Sequence, residues 1–567
     1  MDKNTNQNLI TPFEGDTDFS WDIYPRPQAR RDSYLSLSGE WDLSVKTEKT
    51  EENLGKIIVP FPPESRISGI FRKKKKNERY IYRKVFSLDS DFGERVILHF
   101  GAADQKATVY LNGALIGSNV GGYLPFSFDI TDFISEGENS LLVEIEDSLD
   151  KTQAYGKQKV KRGGMWYTPI SGLWQSVWLE GVPENHIKSI RLTPTLNSIK
   201  ISVSGGEEEK KILIKTDDGA ISRIFTGSET EIEIPNPSIW SPENPYLYNF
   251  KIESGRDTVY SYFALRTIEV SGNKILLNGK PYFFHGLLDQ GYFSDGIYTP
   301  ASPRGYIYDI KEMKRLGFNT LRKHIKIEPD IFYYYCDRYG MIVFQDMVNS
   351  GGYNFLIDTA LPTIGIKRGI THFASKKRRN QFLRDSIDTI DHLYNHPSVC
   401  YYTIFNEGWG QHSADSYYKL LKEKDPTRIW DSTSGWFFEK ESDVRSEHIY
   451  FKKIKLKPSR RPIVLSEFGG YSLNIEGHHF NLKKVYGYKK FSSSEDLSKG
   501  FYSLYKDEVI PAIKNGLTAS ILTQVSDVED ETNGLLTYDR QVLKVSPETM
   551  QKISEEIQEA FNEKIPT

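Results

Sequence analysis

Two short apolar stretches in this chain end on a carboxylate. Ser398 to Gln411 reads SVCYYTIFNEGWGQ, and its aliphatic and aromatic run stops at Asn406-Glu407. Pro462 to Gly470, PIVLSEFGG, stops at Glu467, followed by two glycines that let the backbone turn sharply. Runs of this length and composition read as strands buried on both faces, so a polar residue at the carboxyl end needs a reason. In a parallel α/β barrel those ends open onto the active site. Two carboxylates there suit the cleavage of a glycosidic bond, in which one acid protonates the leaving oxygen and a second carboxylate works on the other side of the anomeric carbon. Either glutamate alone reads as readily as one half of a buried salt bridge. Separated by 60 positions but expected on the same rim, they read as a pair.

Other polar residues fall near expected strand ends: His285, Asp289, Arg322, His324, Asp346, His448, Tyr450 and Gln524. There they could bind hydroxyls or tune the carboxylates. Each has a structural alternative in a buried hydrogen-bonded pair. Trp409 and Trp436 could stack on a pyranose ring or pack the rim.

The elements that must position these residues follow Val270. Strand candidates come in succession at Tyr282 to Gln290, Asn319 to Lys326, Met341 to Val348, Ser398 to Glu407, Arg428 to Gly435, Ser446 to Tyr450, Ile463 to Glu467 and Ala519 to Asp527. Helical spacing separates several of them, as in Ile331, Tyr334 and Tyr335, in Leu383, Ile387, Ile390 and Tyr394, and in Ala414, Tyr417, Tyr418 and Leu421. Eight strands with interleaved helices predict a (β/α)8 barrel. Gly435 to Ser446 and Phe451 to Arg461 are too short or too basic for helices, so that sector is expected to be irregular. The long segment from Asn349 to Thr371, which carries Lys367 and Arg368, is expected to lie over the barrel mouth as a substrate-facing loop.

Before Val270 the pattern is different. From Leu37 to Glu180 short alternating segments are divided by glycine, asparagine and proline turns, which predicts an antiparallel sandwich with one face of each sheet buried. Its aromatic cluster GGMWYTPISGLWQSVWLEG, with Trp166-Tyr167, Trp174 and Trp178, reads mainly as core. From about Asn185 to Val270, the alternation of Ile201 and Val203, Ile212 and Ile214, and Ile232 and Ile234 predicts a smaller immunoglobulin-like sandwich. The expected division is therefore 1–184, 185–270 and 271–567.

Composition narrows the function classes. The chain has 567 residues, 38% of them apolar and 13% aromatic, enough for several cores. Lysine plus arginine (73) nearly cancels aspartate plus glutamate (76), so no global basic field points to nucleic acid. The basic run Arg72 to Lys76 reads as a solvated loop. No stretch reaches the roughly 20 apolar residues that span a bilayer, and MDKNTNQNLITPFEG lacks an apolar leader, so a cytoplasmic protein is expected. Cys336 and Cys400 stand in no metal-ligand spacing and read as buried free thiols. No metal or other cofactor is expected; a carbohydrate substrate is, and a homo-oligomer stays open.

Over nearly its whole length the chain resembles glycoside hydrolase family 2, the β-galactosidase, β-glucuronidase and β-mannosidase group. The likeness is carried by WYTPISGLWQSVWLE, LNGKPYFFHGLLDQGY, GFNTLRKH, FNEGWG and SEFGG, in that order. It implies a jelly-roll, sugar-binding-like sandwich, an immunoglobulin-like sandwich and a catalytic barrel. It further implies Glu407 as acid/base, Glu467 as nucleophile of a retaining mechanism, Asn406 on the sugar 2-hydroxyl, His324 as a substrate-side histidine and Tyr450 as hydrogen-bond partner of the nucleophile. One departure matters. Where β-glucuronidases of the family carry Asn-x-Lys before a Gly-(Ile/Leu)-(Phe/Leu)-Thr-x-Asp-Arg segment, this chain has Glu531-Thr532-Asn533 before GLLTYDR, so the lysine that grips a sugar carboxylate is missing. An exo-β-galactosidase is the expectation. β-Glucuronidase, β-mannosidase and a non-catalytic carbohydrate-binding protein are the alternatives.

Overall fold

A computed structural model describes residues 5–563 except 7, 17, 18, 90, 365, 367–373 and 438. The first sandwich packs a six-stranded antiparallel sheet against a four-stranded one. The expected alternation is visible in Gly137–Glu146, where Leu141, Val143 and Ile145 point inward between the exposed or half-buried residues flanking them. Each such side chain taken out of water contributes about 1.5–3 kcal/mol before conformational entropy is counted. Seven strands in sheets of three and four make the second sandwich, filled by Ile199, Ile201, Ile212, Ile214, Phe250 and Ile252 without any disulfide.

All eight expected barrel strands form: β1 (Phe284–Asp289), β2 (Thr320–Lys323), β3 (Ile342–Asp346), β4 (Val399–Asn406), β5 (Ile429–Ser434), β6 (Arg445–Ile449), β7 (Ile463–Gly469) and β8 (Leu517–Thr523). Neighbours pair in parallel all the way from β5 back through β1 to β8, β7 and β6. Between β5 and β6 the ladder gives way to a side-chain contact, Ser446 Oγ donating to Thr433 O at 3.0 Å. The sheet is thus nearly closed. No helix is found in the described residues between β5 and β6 or between β6 and β7, so the irregular sector is where the sequence predicts it. A small ribbon, Ile268–Ser271 with Lys274–Leu277, brings Ile275 and Leu277 against Phe284, Phe344, Tyr401 and Val464, which plugs the amino-terminal end of the barrel.

The second sandwich is bolted to the barrel beside the strand that carries Glu407. Arg266 donates to Pro397 O and to Val399 O, both at 2.8 Å, and so fixes the start of β4. Trp240 Nε1 donates to Asp337 O at 2.8 Å, and Tyr262 Oη to Asp337 Oδ2 at 2.8 Å. From the first sandwich, the stretch between Glu146 and Gly172 contains no strand and runs over the barrel mouth, with Tyr155 Oη donating to Gly351 O at 2.6 Å. Among the described residues no helix is long and apolar enough to cross a membrane. Cys336 and Cys400 are buried and free.

Asp337 also holds His396, whose Nδ1 lies 2.7 Å from Asp337 Oδ2. Burial would lower the imidazole pKa, but the Asp337 and Asp330 carboxylates raise it to about 9. A raised histidine contributes stability that is complete below its unfolded value of about 6.5 and is lost as pH rises through 9. His396→Gln should therefore depress the thermal midpoint more at pH 6 than at pH 9.5; paired melts at the two pH values check this, and an equal depression would contradict it.

Candidate active site

β4 delivers Asn406 and Glu407 to the open end of the barrel. Glu407 has φ +50°, a left-handed conformation that is uncommon for a residue with a side chain and clusters at functional positions. Gly408, at φ +76°, continues the turn. A Cβ there would come within 2.4 Å of Phe437, so the glycine is required for both conformation and space. β7 delivers Glu467 from the other side, and β6 supplies His448 between the two.

The contacts define one connected centre. Arg322, at the end of β2 and 1% exposed, donates through Nη1 to Glu467 Oε1 at 3.0 Å and to Ser466 O at 3.0 Å. Its Nε donates to Asp346 Oδ1 at 3.0 Å, and its Nη2 to Asn406 Oδ1 and Ser434 Oγ, both at 2.9 Å. Tyr450 Oη donates to Glu467 Oε2 at 2.6 Å and lies 2.8 Å from Thr523 Oγ1. His448 Nδ1 sits 2.8 Å from Glu407 Oε1 and 3.6 Å from Glu467 Oε2. His324 Nδ1 lies 2.8 Å from Asp346 Oδ2 and 4.0 Å from Glu467 Oε1.

Electrostatics separates the groups. Burial would raise Glu467, but the charges of His448, Arg322, His324 and Lys157 outweigh it and hold the carboxyl at about 2. It is thus ionised at any ordinary pH. Burial together with the Lys157 ammonium pushes His324 down to about 4, against the pull of Asp346. Tyr450 is raised by burial and by Glu467 and stays a hydrogen-bond donor. Oxygens of Glu407 and Glu467 and a ring nitrogen of His448 lie within 4.8 Å of one another, close enough for a metal ion. However, both Glu467 oxygens already accept hydrogen bonds, and a guanidinium nitrogen stands 3.3 Å from His448 Nε2, so the local charge disfavours a cation.

Most residues singled out from the sequence come together here: Asn406, Glu407, Glu467, Arg322, His324, Asp346, His448 and Tyr450. Gln524 lies beyond Tyr450 and Thr523, and donates to Glu531 Oε2 at 3.0 Å and Asn533 Oδ1 at 2.6 Å. Trp409 stacks on Trp166 of the first sandwich, centroids 5.2 Å apart, with Tyr353 edge-on to both. Trp436 is half-buried and donates to His448 O at 3.2 Å. Asp289 belongs to a neighbouring buried network, accepting from Lys323 Nζ at 2.7 Å. His285 is a correction. It is the second residue of β1, far from the carboxyl end, stacked on Phe318 at 4.3 Å and edge-on to Tyr505, and burial lowers its pKa to about 3. An apolar run shows that a strand is buried but does not say which end of it a polar residue occupies.

Three participants were not predicted as site residues. The sequence places Tyr167 in the sandwich core, yet its Oη donates to Glu531 Oε2 at 2.7 Å. Glu531 itself is buried, and burial raises its pKa while Lys157, Tyr167 and Gln524 work against that shift. Lys157 stands in the strandless stretch that crosses the barrel mouth. The available signal was its sequence, QAYGKQKVKRGG, which breaks the alternation on both sides. Tyr353 brings part of the loop after β3 to the site; Lys367 and Arg368 lie outside the described residues.

Comparison with known proteins agrees with this architecture. Residues 71–175 match the family described as glycosyl hydrolase 2 galactose-binding domain-like, 185–266 match glycosyl hydrolases family 2, and 268–558 match its TIM barrel domain. The chain is 25% identical to a β-glucuronidase of Felis catus over 60% of this chain and 56% of that protein. It is 27% identical to a β-galactosidase of Thermoanaerobacter pseudethanolicus over 69% and 52%. The chain thus spans about half the length of the curated relatives it matches. A solved β-D-glucuronidase of Dictyoglomus thermophilum shares the fold with a TM-score of 0.75 and 21% identity, covering 96% of this chain and 99% of that one.

Arg322→Met would leave Asp346 and Glu467 as buried charges without their common counterion. Breaking a buried pair in this way costs about 3–5 kcal/mol. A large drop in the thermal midpoint is expected, and a drop no larger than that of a surface Arg→Met control would contradict this account.

Proposed function

Because the chain belongs to glycoside hydrolase family 2, with its TIM barrel model matching 268–558, we propose that it is a retaining exo-β-glycosidase acting by double displacement. The observation that carries this reading is the spacing of the two strand-end glutamates. An oxygen of Glu407 and one of Glu467 lie within 4.8 Å of each other. So close an approach is compatible with the roughly 5–5.5 Å that separates the two carboxyl groups in retaining enzymes.

In this reading Glu467, held ionised by its cationic neighbours, attacks the anomeric carbon, and Glu407 protonates the departing oxygen. Once the glycosyl–Glu467 bond forms, Glu407 takes a proton from water, which then releases the sugar. Asn406, its Oδ1 taken by Arg322 and Ser434 Oγ, has its Nδ2 left to donate to the 2-hydroxyl. Glu467→Gln should abolish nearly all turnover with the fold intact, and a 2-deoxy-2-fluoro galactosyl fluoride should label Glu467. Labelling of another residue, read by peptide mass spectrometry, would overturn the assignment.

For the glycone we propose galactose or a similarly neutral sugar. The support is Glu531 and Asn533 in place of the Asn-x-Lys element: a glucuronide carboxylate buried beside Glu531 would be repelled. Nitrophenyl β-galactoside is expected to be cleaved at least ~10-fold faster in kcat/KM than nitrophenyl β-glucuronide, for which about 1.4 kcal/mol suffices. Equal or better glucuronide turnover would remove the neutral-sugar reading and leave the catalytic pair standing.

A further inference from the structure

Lys157 is buried, yet among the described residues its ammonium makes no ion pair or side-chain hydrogen bond. It rests against aromatic faces, 5.6 Å from the centroid of Trp409 and 5.7 Å from that of Tyr167. Those two rings locate it. Trp409 follows Glu407 by two positions, and Tyr167 donates to Glu531. The chain itself is tied there, Tyr167 N donating to Lys157 O at 3.0 Å. Its charge is felt by His324, Glu467 and Glu531, three groups on different elements around one space. The ammonium is not sealed from solvent, so an incoming acceptor can reach it.

The same wall holds other incomplete groups. Glu531 Oε2 accepts from both Tyr167 and Gln524, which leaves Oε1 for a further donor. Asn533 Nδ2, Gln524 Oε1 and Trp409 Nε1 are buried polar atoms without a protein partner. Buried polar atoms are nearly always satisfied, so a cluster of exceptions beside a catalytic centre marks where a polar ligand completes the hydrogen bonding.

We propose that Lys157, from the first sandwich, and Glu531, from the segment after β8, together read the hydroxyls of the glycone remote from the scissile bond. This rests on the glycosidase reading above. With the anomeric carbon between Glu407 and Glu467 and the 2-hydroxyl at Asn406, the hydroxyls left for this pair are those at carbons 3, 4 and 6. A hydroxyl can accept from the ammonium and donate to the carboxylate at once, which a carboxylate substituent cannot do. The pair therefore selects a neutral polyol face, and Lys157 is a substrate-binding residue supplied from outside the barrel.

The test compares wild type, Lys157→Met and Lys157→Arg on nitrophenyl β-galactoside and on its 3-, 4- and 6-deoxy analogues. Lys157→Met is expected to lower kcat/KM on the parent by about 10-fold or more, as for a lost hydrogen bond to a charged group. Against one of the deoxy analogues the loss should shrink to about threefold or less, because the contact is already gone, and arginine should restore part of it. In a Glu467→Gln background, calorimetry with intact nitrophenyl galactoside should show the same loss as weakened binding, with the thermal midpoint unchanged. A loss equal on all four glycosides, or no loss, would overturn the assignment. The wild-type arm separates the two readings: no cleavage of any β-glycoside overturns both. Glucuronide cleavage abolished by Lys157→Met, with the galactoside unaffected, would make the ammonium a carboxylate grip and sink the hydroxyl-reading pair alone.

Discussion

The buried guanidinium of Arg322 is the constraint on which the centre depends. It is planar, permanently charged and offers five donors in a fixed fork, and here each nitrogen is used. Through it the ends of β3, β4, β5 and β7 are tied to β2 by hydrogen bonds of 2.9–3.0 Å to Asp346, Asn406, Ser434 and Glu467. It also supplies the positive charge that lets two carboxylates remain ionised out of water. Without that charge Glu467 would face a desolvation cost that protonation resolves.

Two of the three domains meet at this centre for a physical reason. A barrel interior is filled with side chains, so a pocket exists only where segments build walls above the strand ends. The segment after β8 contributes Glu531, the loop after β3 contributes Tyr353, and the stretch between Glu146 and Gly172 contributes Lys157, Trp166 and Tyr167. The second sandwich acts from below, Arg266 holding the start of β4 while the other end of that strand carries Glu407.

What was legible in the sequence follows from how each signal arises. Strands buried on both faces are written as apolar runs, so all eight were found, and their carboxyl ends led to Glu407 and Glu467. The irregular sector was legible because Gly435 to Ser446 and Phe451 to Arg461 carry no helical period. His285 was misplaced because the apolar run is symmetric and the end of the strand that faces the mouth is decided by the fold. Lys157 and Tyr167 were missed as site residues for a different reason: nothing local in a loop of one domain states that another domain's opening lies beneath it. Glu531 was visible only as a departure from a motif, and its role emerges from burial and from Tyr167 and Gln524 around it.

The gap in the ladder between β5 and β6 bears on mechanical compliance. In a fully closed barrel, displacement of any one strand strains two neighbouring sets of hydrogen bonds; at this seam it strains one. β6 is an edge strand in that sense, and it carries His448, which touches both glutamates. Glu407 sits across the seam, beyond β5, and Glu467 lies on β7, on the near side of it. Across this seam the spacing of the two carboxylates is therefore set by side chains, Arg322 bridging Asn406 and Glu467 and His448 reaching Glu407, instead of by a backbone ladder.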